Sequence, residues 1–354
     1  MTETRTPLPA APAVPESGPS LAARLLHRPD VGLFAALVLV VALASGIIVN
    51  FASTVTLGFL LVGVIPVLLL AMPMTLIIIT GEIDLSVAST AGLASAVMGV
   101  LWRDTDLSIW VVMTICVAVG ALCGAFNGLL ITRLGLSSLA VTIGTLALFR
   151  GLALVVIGDQ KVSDFPSELT RLATRRIGET GVPVAMVGVV VLVAVFAVVL
   201  HQTPFGRSLY ALGFSSEAAR FAGIRVDRAK LVLFTVSGAI AGVTGVFWTL
   251  RYASAGPDNA TGLELTVIAA VLLGGVSIFG GRGTVFGVVT GVLLIGTVTY
   301  ALRLARVPET ALTIVTGALL ILSVVTPSLL AALRERRRLA RLTSTSSPSA
   351  PAGG

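Results

Sequence analysis

Fifty-one consecutive residues, 31–81, carry no charge. A membrane-spanning helix uses about 20 mostly apolar residues, so this segment is too long for one crossing. The polar cluster Asn50, Ser53 and Thr54 near its middle offers a turn, and the segment reads as two helices. Further uncharged runs at 85–102, 107–132, 134–149 (continuing to 158 past Arg150) and 181–200 bring the first two hundred residues to six spans. Four more follow at 231–250, 262–279, 284–302 and 310–330. The fold class expected is an all-α polytopic membrane protein of about ten transmembrane helices.

Composition excludes the main alternative. Hydrophobic residues make up 56% of the chain and charged residues 12%, whereas a soluble domain carries about 25% charged residues. A soluble enzyme is ruled out. The formal charge of +7 would suit a nucleic-acid partner, but many of the arginines stand at the ends of apolar runs, where they act as orientation signals. With the N-terminus in the cytoplasm, the inside segments hold fifteen Lys and Arg and the outside segments eight, which assigns both termini to the cytoplasm. No nucleic-acid role is expected.

Residues 1–30, rich in Pro, Ala and Ser, should form a mobile cytoplasmic tail. Residues 331–354 should form a second, basic at first and then Ser- and Pro-rich, with 31–330 as the transmembrane domain between them. Arg24 and Arg28, the apolar run from Val31 and Ala42-Leu43-Ala44 have the outline of a signal peptide. Hydrophobicity continues through Ile47, Ile48 and Val49, however, so an uncleaved first span is expected.

Two loops are long enough for structure of their own, 159–180 outside and 201–230 inside. The nonapeptides starting at Ala140 and Ala311 agree at six of nine positions. They open spans five and ten on opposite sides of the membrane, as an inverted repeat of five helices plus five requires. Similarity between any two Ala-, Leu- and Thr-rich helices would give the same match.

Little in the chain suggests catalysis. No Gly-x-x-x-x-Gly-Lys-Ser/Thr loop is present, and the two lysines, Lys161 and Lys230, lack a glycine-rich lead-in. His27 and His201 have no neighbouring nucleophile or ligand cluster, and Cys116 and Cys123 are too few for a structural zinc site and are expected as buried thiols of one helix. Neither a metal nor a bound cofactor is expected.

Charges within spans cost about 2.5–3.5 kcal/mol at a helix centre and need a reason. Arg150, some sixteen residues into span five, is explained by a polar pathway or a buried acidic partner, or equally by snorkelling to the outer interface. Glu264, a few residues into span eight, reads as interfacial. Asn127, Thr142 and Thr145 suit hydrogen bonding to a hydroxylated solute, and equally suit tying helices together.

Specific motifs stand beside these residues. Gly81-Glu82-Ile83-Asp84-Leu85-Ser86-Val87-Ala88-Ser89 is an acidic turn leading into a helix, with Ser86 as its expected N-cap. It is followed by Asn127-Gly-Leu-Leu-Ile-Thr132, Thr142-Ile-Gly-Thr145 with Arg150-Gly151, and Gly274-Gly-Val-Ser-Ile-Phe-Gly-Gly-Arg-Gly-Thr284. In this order and spacing the segments resemble the integral membrane permeases of bacterial carbohydrate ABC importers, the ribose, rhamnose and autoinducer-2 type. The resemblance covers about residues 31–330 and does not select a sugar. The family often has two glycines before the isoleucine of the acidic turn, where this chain has Gly81-Glu82.

The inside loop adds Ser216-Glu217-Ala218-Ala219-Arg220-Phe221-Ala222-Gly223-Ile224, a short helix with Ser at its start and Gly at its end. It is similar to the coupling helix of such importers, the Glu-Ala-Ala-x-x-x-Gly pattern that engages the ATPase. Small residues let it seat in a cleft, and Glu217, Arg220 and Arg225 can make charged contacts at the rim. A solvated surface helix is the plainer reading of the same residues.

The resemblance implies a permease subunit that performs no chemistry and moves a monosaccharide or similar solute by alternating access. Its partners would be an ABC ATPase that binds the ATP, a periplasmic or lipid-anchored sugar-binding protein, a second permease copy or related chain, and the surrounding lipid. Glu82 and Asp84 would stabilise the start of span three and shape a gate, with Asn127, Thr142, Thr145, Arg150 and Glu264 along the path. The rival is an ion-gradient-driven secondary transporter, which wants titratable residues at mid-membrane. A passive channel or scaffold would have no use for a coupling helix.

Overall fold

The computed structural model describes residues 29–158, 160–308 and, discontinuously, positions between 310 and 325. Twelve helices with both ends described run in order: α1 Pro29–Ile47, α2 Thr54–Ile79, α3 Val87–Asp104, α4 Ile109–Arg133, α5 Ser138–Ile157, α6 Ser167–Thr174, α7 Ala185–Gln202, α8 Pro204–Phe214, α9 Ser216–Phe221, α10 Val226–Tyr252, α11 Leu263–Leu273 and α12 Val285–Leu304; the described positions between 310 and 325 are helical as well. The only pairings of extended chain among these residues are two isolated antiparallel bridges, Val162 with Ala255 and Arg176 with Pro183. Six helices, α2, α4, α5, α7, α10 and α12, are long and apolar enough to cross a membrane.

The turn expected inside the long uncharged segment is present. Asn50 takes a left-handed φ of 62°, Ser53 accepts from Thr56 N at 3.1 Å to cap α2, and Thr56 Oγ1 donates back to Asn50 O at 2.9 Å. The first helical N–H groups of α2 thus gain a side-chain partner where the chain reverses. The 26-residue α2 is about 39 Å long and runs through the centre, touching α7, α10, α11 and α12. Leu70, Ala71, Met72, Met74, Ile77 and Ile79 on it are fully enclosed. Such a helix, apolar all round, can exist only within protein or lipid.

Lipid tails are as apolar as leucine, so helices in a bilayer are held by close packing rather than by escape from water. The α4–α10 contact shows how this is achieved. Methyl groups added at Gly120 and Gly238 would fall 2.9 Å from Gly242 Cα and 2.8 Å from Gly124 Cα, so the two backbones approach without side chains between them. Next to them, Gly245 of α10 faces Ala91 and Ala94 of α3. On the periphery, α1 and α7 turn Phe34, Leu39, Val190 and Val191 outward, a surface that suits lipid.

Three expectations need correction. Span eight, expected over 262–279, ends as a helix at Leu273. Gly274 packs against the α12 backbone, where a Cβ would lie 2.5 Å from Val288 Cα, and Gly275 has φ 85°. Eleven residues extend about 16 Å, half of a hydrocarbon core. Span three, as α3, is helical over 18 residues but is not among the six long apolar helices. Ser86 makes no side-chain cap; Asp84 accepts from Ser86 N instead. Residues 1–28 of the first expected tail, the whole of the second, and about half of span ten, with part of the second repeat nonapeptide, lie outside the described residues.

Candidate functional site

The loop 201–230 folds into α8 and α9. Pro204 opens α8 with Thr203 Oγ1 accepting from Gly206 N at 3.1 Å. The cap of α9 is Ser215, one residue earlier than expected, and accepts from Ala218 N at 3.1 Å. Gly223 ends the segment with φ 83° while Ile224 N reaches back to Ala219 O at 3.0 Å. A residue with a Cβ would be strained there. Glu217, Ala218, Arg220, Gly223 and Arg225 are exposed, whereas Ala219 is turned into the protein. Arg220 pairs with Asp227 of α10 at 2.6 Å, both more than half exposed.

The acidic turn between α2 and α3 lies against this loop. Glu82 makes an ion pair with Lys230 of α10, the two side chains being only 15% and 17% exposed. Asp84 is fully buried, its Oδ1 accepting from Ser86 N at 3.0 Å and Ser86 Oγ at 2.7 Å and its Oδ2 from Ser237 Oγ of α10 at 3.2 Å. Burial pushes the Asp84 carboxyl above the usual carboxylate range, against the opposing pull of the Ser86 and Ser237 hydrogen bonds. Asn127 of α4 donates through Nδ2 to Ser86 Oγ at 2.8 Å, and its Oδ1 has no partner among the described residues. Ile83 is held by α5 on both sides: its N donates to Ser138 Oγ at 3.2 Å and its carbonyl accepts from Thr142 Oγ1 at 3.3 Å. Thr145 bonds within α5, to Thr142 O.

The glycine-rich segment after α11 returns to the same place. Gly281 N donates to Ile79 O at the end of α2 at 2.8 Å, Tyr210 of α8 donates to Gly283 O at 2.7 Å, and Gly213 abuts both Ile79 and Gly281. Three sequence-distant loops, 80–86, 203–225 and 274–284, therefore form one surface.

Arg150 and Glu264 belong to a second cluster. Arg150 Nη1 donates to Pro257 O at 2.6 Å and Asn259 O at 2.9 Å, both in the connection from α10 to α11. Gly92 of α3 makes the room, since a methyl there would lie 2.6 Å from Nη1. Asn259 Nδ2 in turn donates to Ser95 Oγ of α3 at 2.8 Å, and Ser95 bonds Thr249 of α10 at 2.7 Å. Arg150 thus holds carbonyls, while Glu264 and Asp258 act on it through charge alone.

The seven residues expected along a path or gate are accordingly split. Glu82, Asp84, Asn127, Thr142 and Thr145 gather at the acidic turn, and Arg150 and Glu264 at the other cluster. Sequence reasoning missed Lys230, Ser138, Ser237, Asn259 and Tyr210 as participants. Lys230, one of two lysines in the chain and at the edge of span seven, carried a usable signal; the serines did not. Among the described residues no group of three His, Cys, Asp or Glu is placed to hold a metal ion. Cys116 and Cys123 are both free and buried on α4.

The family described as branched-chain amino acid transport system / permease component matches residues 56–324. The autoinducer 2 import system permease protein LsrD of Photorhabdus luminescens is 32% identical over 283 residues, 78% of this chain and 83% of its own. LsrD of Yersinia enterocolitica is 33% identical over 284 residues, with the same coverage of 78% and 83%. The permease protein LsrC of Photorhabdus laumondii is 34% identical over 258 residues, 72% of this chain and 75% of its own. These relatives are transport subunits, not enzymes. No solved structure matches the chain.

Proposed function

Because the chain belongs to this family of ABC-importer permease components, as a multi-pass protein of the cytoplasmic membrane, we propose that it carries a small hydroxylated solute of the monosaccharide or autoinducer-2 kind by alternating access. An ATPase subunit below supplies the force, and a periplasmic or lipid-anchored binding protein above supplies the solute and the high affinity. Two permease chains, identical or related, enclose the path. Each has about ten membrane-embedded segments in an inverted five-plus-five arrangement, the eighth helical only over Leu263–Leu273, and both termini face the cytoplasm, as the excess of basic residues on that side supports.

The observation that carries the reading is the form of α9. A six-residue helix fixed by Ser215 at its start and Gly223 after its end offers Glu217, Ala218 and Arg220 outward. Of these, Arg220 is engaged with Asp227 of α10, and Glu217 and Ala218 are exposed. A cleft on an ATPase would accept the small face at Ala218, with Glu217 and Arg225 at its rim. ATP-driven closure then moves α9, and the spans respond only in so far as their contacts differ between the two states.

Charge reversal in Glu217→Lys, or bulk in Ala218→Trp, should abolish ATP-dependent uptake and ATPase co-purification while leaving the chain in the membrane. Normal uptake with normal co-purification would remove α9 from the interface. Ala219→Trp is a different perturbation, because that side chain packs inward and the local fold itself would yield.

A further inference from the structure

We infer that the Lys230–Glu82 ion pair is the link that passes movement of α9 and the start of α10 to the α2–α3 turn, and through that turn to α5. The inference rests on α9 being the place where the ATPase pulls. It assigns Lys230 as a positioning residue.

Stiffness on the driving side is visible. Gly223 N and Ile224 N bond back to Arg220 O and Ala219 O, each at 3.0 Å, and Val226 N donates to Ile224 O at 2.9 Å, so a short bonded backbone segment joins α9 to the first turn of α10, with the Arg220–Asp227 pair beside it. The Arg220–Asp227 pair is open to water and holds weakly. Lys230, about one turn further along α10, points into the protein.

The receiving side is equally fixed. Glu82 sits in a turn whose next residue, Ile83, is bonded through both backbone groups to Ser138 and Thr142 of α5. Asp84 ties the same turn to α3 through Ser86 and to α10 through Ser237. A displacement of Glu82 therefore displaces the inner end of α5. The Lys230–Glu82 pair is the one ion pair among those observed in the described residues in which both side chains are largely withdrawn from water. Removing one partner leaves the other charge shielded and uncompensated, so loss of either side chain is felt at the other. The Ser237 bond to Asp84, at 3.2 Å and neutral on one side, is a weaker tether.

The test uses the full chain with its co-purified ATPase in lipid nanodiscs. The buried Cys116 and Cys123 are replaced, and spin labels are placed at the exposed positions Val155 of α5 and Val190 of α7. Trapping with ATP and vanadate should shift the label-to-label distance in the otherwise unaltered chain. Lys230→Met and Glu82→Gln should each keep the ATPase bound but reduce the shifted fraction about fivefold or more, a size ordinary for directly contacting residues. The exchanged pair, Glu82→Lys with Lys230→Glu, should restore the shift. A purely structural pin would instead lower thermal stability in the single variants and leave the shift intact wherever the complex survives. That outcome overturns the inference, as does a bound, unaltered chain that shows no shift, or an exchanged pair that stays silent while retaining the ATPase. Failure of the unaltered chain to hold any ATPase overturns the proposed function itself, and this inference with it.

Discussion

Replacing Gly238 by alanine tests the packing on which the whole bundle depends. A methyl at this position of α10 would lie 2.7 Å from Gly124 N and 2.8 Å from Gly124 Cα of α4. Ordinary carbon contacts are about 3.5–4.0 Å, so the helices must separate by about 1 Å. The obstructing atoms are backbone and cannot rotate aside. Overpacking costs about 1–3 kcal/mol, and this site belongs at the upper end. Alanine also gains about 1 kcal/mol in helix propensity over glycine, which calls for a matched control. Gly188 of α7 is also helical, and a methyl there meets nothing within 4 Å. The propensity gains cancel between the two variants, leaving the packing penalty. At about 2–4 °C per kcal/mol for a large domain, Gly238→Ala should melt roughly 5–10 °C below Gly188→Ala. Loss of the monodisperse peak in detergent after heating is a suitable readout. Equal or higher stability of Gly238→Ala would show that α4 and α10 do not meet backbone to backbone.

Other perturbations probe the polar clusters. Arg150→Met leaves the Pro257 and Asn259 carbonyls without their charged donor, a loss of about 1.5–3 kcal/mol per bond; limited proteolysis should then cut the 253–262 connection faster than in the parent chain. Tyr210→Phe removes the bond to Gly283 O and should cost about 1 kcal/mol, read as a small fall in melting temperature with ATPase co-purification retained. Asp84→Asn concerns pH. The folded chain holds the Asp84 proton to a higher pH than the unfolded chain, whose value is near 3.8. The stability this contributes is present below that value and is lost as pH rises through the raised folded value. The melting temperature of the parent chain relative to Asp84→Asn should therefore fall as pH is raised from the acid side, and a difference independent of pH would refute the account.

The local features of this chain were legible in its sequence. Uncharged runs located the six long apolar helices because charge in lipid is expensive at every position, irrespective of neighbours. Asn50, Ser53 and Gly223 marked turns and ends, because cap and left-handed conformations depend on a few adjacent residues. The cap of α9 was displaced by one residue, to Ser215, since either of two consecutive serines satisfies the same rule.

What followed from the path of the chain through space could not be read in this way. Glu82 and Lys230 are 148 residues apart, and Asp84 and Ser237 are 153 apart. A polar pathway, an acidic partner and snorkelling all fit Arg150 in the sequence, whereas its partners are two backbone carbonyls, groups that every residue carries and that leave no trace in composition. Span eight had an apolar run of sufficient length, but stops at Leu273, where Gly274 packs against α12 and Gly275 takes a left-handed φ. Solvent preference is a property of each segment alone and fixed what enters the membrane. The partners of each polar group, and the glycines that let backbones touch, are properties of pairs of segments, and only the assembled bundle brings those pairs together.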